Sequence, residues 1–172
     1  MSRKKAFLIV GLIIVIGLVV DLATKSIFAE VLDYGEKVIV IIPNFFRLIY
    51  IENDGAAYGM LGGKTWILII ITIAFIIGFA IYYIFNHKSS WIYQFAFGLI
   101  LSGAIGNLID RIFFDGIVRD FISIEIFSFI FNIADMWITF GVILFILDVI
   151  LDYVKDNKKK KEKTSVDDTE DK

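Results

Sequence analysis

The sequence predicts a polytopic α-helical membrane protein with four transmembrane helices and a small extracytoplasmic β-element in the first outer loop. Of the 172 residues, 58% are hydrophobic, and the charged residues crowd into the termini and two loops. Four stretches between them reach the roughly 20 mostly apolar residues that a bilayer-spanning helix needs. This pattern excludes an ordinary soluble domain, a disordered chain and a basic nucleic-acid-binding protein, so no nucleic-acid partner is expected.

The predicted spans run over about residues 6–28, 65–85, 91–113 and 131–154. A basic start before the first span also fits a cleaved signal peptide, but no small-residue cleavage site follows, so a retained helix is expected. Both termini share a side with 11 of the 17 basic residues, which predicts that they are cytoplasmic. Residues 1–155 are expected to form one membrane-embedded domain, and the charged tail 156–172 is expected to be disordered.

The two outer loops differ in their patterns. Residues 29–64 contain the β-branched run 38–42, then Pro43-Asn44, then an apolar run 45–51, which predicts two short strands joined near the proline. Residues 114–130 are unusually apolar for a loop, which suggests contact with lipid or with an apolar substrate.

Polar and ionisable residues within this topology fall at one level, the outer ends of the helices. Such groups are costly in a bilayer and are candidates for function. Five segments contribute them: Asp21 and Lys25; the segment 53–57, with Asn53; Asn107, Asp110 and Arg111; Asp120; Asn132 and Asp135.

Several of these residues also have purely structural interpretations. Asp21 and Lys25 are spaced i,i+4 and can neutralise each other on one helical face. Asp110 fits the role of an ion-pair partner rather than that of a reacting group. Near the inner end of the last helix, Asp148 and Asp152 are expected to be solvated beside Lys155.

A stripe of small residues in the third span, Gly98, Ser102 and Gly106, is typical of close helix packing. Such packing has a consequence for the polar residues, because it can bring Asn107 near Asp135.

Asp120 and Asp135 remain as candidate chemical groups, since neither has a basic residue at helical spacing. Arg119 precedes Asp120, but in an extended segment successive side chains point to opposite faces. Two carboxylates in a low-dielectric site share a proton, so one can take a proton from water while the other polarises a carbonyl. With no Cys and one His, thiolate chemistry and a histidine metal cluster are excluded. An aspartate-dyad hydrolase, a proton- or ion-coupled transporter and a structural scaffold all remain open at this point.

The chain resembles lipoprotein signal peptidase (signal peptidase II), a family of membrane aspartyl proteases. Five motifs carry the resemblance in the family's order: Asp21-Leu-Ala-Thr-Lys25, Asn53-Asp-Gly-Ala-Ala-Tyr58, Gly103-Ala-Ile-Gly-Asn-Leu-Ile-Asp-Arg111, Gly116-Ile-Val-Arg-Asp-Phe121 and Phe131-Asn-Ile-Ala-Asp135. Small departures are Tyr58, Ser102 and Met136, where phenylalanine, glycine and serine are common. The resemblance implies that Asp120 and Asp135 are the catalytic pair. It implies supporting or substrate-binding roles for Asp21, Lys25, Asn53, Gly55, Asn107, Asp110, Arg111 and Asn132.

The resemblance further implies peptide hydrolysis immediately before a diacylglyceryl-modified cysteine of a bacterial prolipoprotein, by aspartate-dyad activation of water. The expected partners are this substrate and membrane lipids, with the chain acting as a monomer and with no metal or other cofactor. The expected location is the bacterial cytoplasmic membrane, with the active site on the extracytoplasmic side. A transporter would need ionisable groups across the membrane, and the second span has none.

Overall fold

The computed structural model describes residues 1–54, 65–127 and 129–170, and within these ranges it has four long helices and four short strands. The helices are α1 (Arg3–Leu32), α2 (Thr65–Phe85), α3 (Trp91–Phe113) and α4 (Ile133–Glu170). The strands are β1 (Val38–Ile42), β2 (Phe46–Asn53), β3 (Val118–Ile124) and β4 (Phe129–Phe131).

All four helices are long and apolar enough to cross a membrane, as the sequence predicts. They differ in burial: 67% of the most apolar window of α3 is buried, against 22% or less in the other three. Therefore α3 is the central helix, packed mainly against α1 and α4. The outward faces of the other helices carry large exposed apolar side chains, as expected of surfaces that face lipid.

Small residues on α3 allow this close packing, which confirms the predicted role of the stripe. A Cβ on Gly98 would lie 2.6 Å from Ile13 of α1. A Cβ on Gly106 would lie 2.5 Å from the carboxylate of Asp21, so even alanine would displace this side chain. On the adjoining face, Gly103 lies against the Ala134 carbonyl of α4. The helix backbones approach closely because these side chains are missing.

The strands form one antiparallel sheet in the order β1-β2-β3-β4 at one end of the bundle. The β1–β2 hairpin confirms the two strands predicted around Pro43. Strands β3 and β4 come from the second loop and were not predicted. Every residue of β3 from Val118 to Ser123 is buried, so this strand lacks the alternation that marks a half-exposed strand. The sheet therefore joins both loops rather than belonging to the first alone.

A tight turn returns the chain from α3 into β3. Asp115 and Gly116 both have positive φ angles, of 50° and 90°. A side chain at Gly116 would be strained by its φ and would also collide with Thr65 at the start of α2. This turn brings Asp120 back beside the end of α3.

Two expectations about α4 were wrong. The helix does not end near Val154 but continues to Glu170, so residues 156–170 of the charged tail are helical where the sequence predicted disorder. Lysine and glutamate are good helix formers, and extending an existing helix needs no new nucleus. Asp148 is buried, at 3% exposure, rather than solvated. It accepts hydrogen bonds from Lys88 Nζ at 2.9 Å and Ser90 Oγ at 2.6 Å, which compensate its burial.

Candidate active site

The predicted polar residues meet at the sheet end of the bundle. The two candidate carboxylates come from different elements: Asp120 is buried in the middle of β3, and Asp135 is half-buried in the first turn of α4. One residue, Asn132, contacts both, and the structure thus brings together two groups that the sequence alone only paired by elimination.

Asn132 precedes α4 and forms a capping box with its first turn. Its Oδ1 accepts the backbone N–H of Asp135 at 3.0 Å, and the Asp135 carboxylate accepts the backbone N–H of Asn132 at 3.2 Å. The pair thereby satisfies donors that a helix start leaves free. The Asn132 amide nitrogen is then directed at Asp120 Oδ1, 2.5 Å away. The capping box that begins α4 therefore also determines how the two carboxylates are placed relative to each other.

Asp120 is held on both oxygens by amides. Asn53, the last residue of β2, donates through Nδ2 to Asp120 Oδ2 at 2.8 Å, while Asn132 donates to the other oxygen. Burial raises the pKa of the Asp120 carboxyl to about 7; the amide of Asn53 opposes this rise and the charge of Asp135 adds to it. Below this pH the Asp120 carboxyl carries a proton, unlike an ordinary aspartate.

Asp135 is oriented by a relay from α1 through α3. Asn107 donates through Nδ2 to Asp135 Oδ1 at 2.8 Å, as the stripe of small residues predicts. Lys25 donates through Nζ to Asn107 Oδ1 at 2.9 Å. Because an ammonium group can only donate, the Asn107 oxygen must face Lys25 and its amide nitrogen must face Asp135.

Lys25 is fully buried and fully paired. It forms ion pairs with Asp21 at 2.9 Å and with Asp110 at 3.4 Å, and all three side chains are 0% exposed. These contacts confirm the predicted i,i+4 pair and the ion-pairing role of Asp110. Asp21 also accepts the backbone N–H of Ala134 at 2.9 Å, which satisfies another free donor at the start of α4. Breaking this cluster would leave an uncompensated buried charge, a loss of about 3–5 kcal/mol.

Arg119 takes part in this cluster, a role that the sequence did not reveal. Its side chain points away from Asp120, as the alternation predicts, and binds Asp110 instead, at 2.8 Å from Nη2 to Oδ1. Arg111, half-buried at the end of α3, lies within electrostatic range of Asp135 and Asp120. Gly55, the remaining predicted site residue, lies outside the described residues.

Asp135 is one of the residues that line an apolar groove of about 310 Å³. Its walls come from the sheet and from α4, and they consist of Ile124, Phe129, Phe131, Met136, Thr139 and Phe140. Met136 is thus part of the wall beside the carboxylate. The arrangement places a partly exposed carboxylate next to a surface suited to an apolar side chain or an acyl chain.

The chain is similar to known proteins in family, sequence and fold. Residues 13–151 match the family model of signal peptidase (SPase) II. A lipoprotein signal peptidase of Staphylococcus haemolyticus is 38% identical over 154 residues, which cover 87% of this chain and 96% of the relative. One of Staphylococcus aureus is 39% identical over 165 residues, covering 94% and 98%.

Solved structures agree with the sequence relatives. A bacterial membrane enzyme determined by the in meso method at 2.3 Å superposes with a TM-score of 0.73 and 35% identity, covering 89% of this chain and 92% of its own. A second such enzyme, at 1.9 Å, gives a TM-score of 0.72 and 36% identity. The sequence, the fold and the pair of amide-held carboxylates agree, and together they decide against a transporter or a scaffold. The chain belongs to the signal peptidase II family and is a membrane-embedded protease.

Proposed function

We propose that this protease removes the signal peptide of bacterial prolipoproteins by cleaving immediately before the diacylglyceryl-modified cysteine, with Asp120 and Asp135 activating the attacking water. The relatives named lipoprotein signal peptidase support the substrate class. The observation that carries the mechanism is the pair of carboxylates held by a single asparagine, Asn132, with Asp135 lining an apolar groove.

The two carboxylates have different environments, which divides the roles between them. Asp120 is buried and has a pKa raised to about 7, so it holds the proton of the pair in solution below that pH. Asp135 is half-buried and borders the groove, so it acts as the base. Such a division of acid and base by environment is common where two carboxyl groups work together.

The proposed reaction begins with a water molecule placed between the carboxyl groups. Asp135 takes a proton from the water as its oxygen attacks the carbonyl carbon before the cysteine, and the Asp120 proton hydrogen-bonds to the carbonyl oxygen. As the tetrahedral intermediate collapses, the C–N bond breaks and Asp135 returns the proton to the cysteine amino group. The products are the free signal peptide and the lipid-modified protein with a new N-terminus.

The surrounding polar groups preorganise this chemistry. Asn53, Asn132 and Asn107 donate to the carboxylates from three separate segments of the chain, and Lys25 orients the amide of Asn107. Because these groups are held by packing, little reorganisation is needed as charge moves during the reaction.

The substrate is proposed to enter from the membrane, with its lipid against the apolar surface near the site. The groove walls and the exposed apolar residues of β1, from Val38 to Ile42, suit acyl chains and lipid. Of the 17 basic residues, 11 lie on the side of the termini, opposite the site, which favours cytoplasmic termini and an extracytoplasmic site. We propose that the enzyme works as a monomer in the cytoplasmic membrane.

The test is cleavage of a lipidated prolipoprotein by the purified protein, followed as a gel shift. Asp120→Asn and Asp135→Asn should each abolish cleavage, because an amide can neither take up nor release the catalytic proton. Asp33→Asn is the matched control, since this carboxylate is 50% exposed and pairs only with the exposed Lys37 among the described residues. Full activity in either active-site variant rejects the dyad, and a wild type that leaves the substrate intact rejects the proposed substrate.

A further inference from the structure

Arg119 is a buried cation next to Asp120 that the proposed mechanism does not use. It is 6% exposed, and its guanidinium group makes a forked contact with Asp110, with Nη2 at 2.8 Å from Oδ1 and Nε at 3.3 Å from Oδ2. Its backbone N–H donates to the same carboxylate at 3.0 Å. The group is also held by Ser26 Oγ at 3.3 Å and by the Phe114 ring, 4.1 Å from the guanidinium carbon.

These contacts attach β3 to the helix bundle directly beside a reacting group. Asp110 belongs to α3, whereas Arg119 and Asp120 are neighbours on β3. A forked arginine–carboxylate contact fixes both distance and orientation, and the additional backbone hydrogen bond fixes the strand itself. The position of Asp120 relative to α3 therefore depends on Arg119.

The same contact affects the other carboxylate through Lys25. Asp110 carries one negative charge and lies near two cations, but Arg119 is bound more closely, at 2.8 Å against 3.4 Å for Lys25. Lys25 instead makes its short contacts, both 2.9 Å, with Asp21 and with the Asn107 oxygen. Without the positive charge of Arg119, Asp110 would attract Lys25 more strongly and draw it away from Asn107.

We propose that Arg119 is a positioning residue for peptide hydrolysis: by holding Asp110, it places both catalytic carboxylates. On one side it fixes the strand that carries Asp120. On the other side it leaves Lys25 to orient the amide that faces Asp135. This inference rests on the proposed function, because it assigns Arg119 to the geometry of that reaction rather than to substrate binding.

The test compares two substitutions at Arg119 in the full-length protein, using the lipidated prolipoprotein. Arg119→Met removes the charge and the forked contact; kcat should fall about 100-fold, the cost of a misplacement of about 1 Å, while KM changes less than about threefold. Arg119→Lys keeps the charge but not the fork, so its kcat should lie between those of Arg119→Met and the wild type, about tenfold below the wild type. Arg47→Met is the matched control on β2, where the side chain is 40% exposed and pairs with Glu125; it should lower kcat less than about twofold.

The outcomes separate this inference from the proposed function. A wild type that does not cleave the substrate refutes the proposed function. A wild type that cleaves, with Arg119→Met equal to Arg47→Met in kcat, refutes the positioning role alone, and so does a loss that lies wholly in KM. If Arg119→Met does not accumulate in the membrane, Arg119→Lys decides: an unchanged kcat overturns the inference, and a lowered kcat at unchanged KM supports it.

Discussion

With asparagine in place of Asp120, the stability of the folded protein should decrease less as pH rises than it does in the wild type. The pKa of this carboxyl is raised from 3.8 to about 7 in the folded protein, chiefly by burial. Between these values the folded protein holds a proton that the unfolded chain has released. The stabilisation is complete below pH 3.8 and is lost as pH rises through about 7, because the folded state must then bury a charge.

The size of this decrease in the free energy of unfolding follows from the range of pH over which the folded and unfolded states differ in protonation of this carboxyl. From pH 5 to about 7 the span is about two pH units, each worth about 1.4 kcal/mol, so the wild type loses about 3 kcal/mol through this group by pH 8. Asparagine cannot ionise and avoids the loss. Its amide oxygen must face Asn132, whose Nδ2 can only donate, and the amide of Asn53 can rotate to accept from the new nitrogen.

The assay is thermal unfolding of the purified protein in one detergent at pH 5 and pH 8. The fall in midpoint between the two pH values should be smaller in Asp120→Asn than in the wild type by about 6–12 °C, because about 3 kcal/mol corresponds to this shift at about 2–4 °C per kcal/mol. Asp33→Asn, which changes a half-exposed loop carboxylate, should keep the wild-type difference. An Asp120→Asn variant whose midpoint falls as much as that of the wild type would refute the buried, protonated carboxyl on which the division of roles depends.

Three further outcomes test the packing, the topology and the recognition of lipid. Gly106→Ala should destabilise the protein by about 1–3 kcal/mol, since its Cβ meets Asp21 at 2.5 Å, whereas Gly11→Ala, with nothing within 4 Å, should be neutral or stabilising in denaturation assays. In intact cells an impermeant thiol reagent should label a cysteine replacing Lys37 but not one replacing Ser89; labelling of the second would reverse the proposed orientation. A peptide substrate without the diacylglyceryl group should be cleaved far more slowly at equal concentration, because each buried methylene contributes about 0.8 kcal/mol; equal rates would remove the lipid from recognition.

Local patterns were sufficient for the elements whose cause is local. The four spans follow from apolar length, and the first hairpin follows from a β-branched run that ends at Pro43. The Asp21–Lys25 ion pair follows from i,i+4 spacing on one helix. The small residues of α3 indicated the close packing that brings Asn107 to Asp135. The sequence thus determined the helical membrane fold and the end of the bundle at which the polar residues gather.

Only the tertiary structure decided which polar residue binds which. The pairing of β2 with β3 joins segments about 70 residues apart, and no local pattern marks β3, because it is buried on both faces. The bridge of Asn132 to Asp120 and the contact of Arg119 with Asp110 depend on that pairing. The burial of Asp148 likewise depends on a turn from another part of the chain. A buried polar group takes the partner that packing places within hydrogen-bonding distance, and that distance is a property of the assembled fold rather than of any segment.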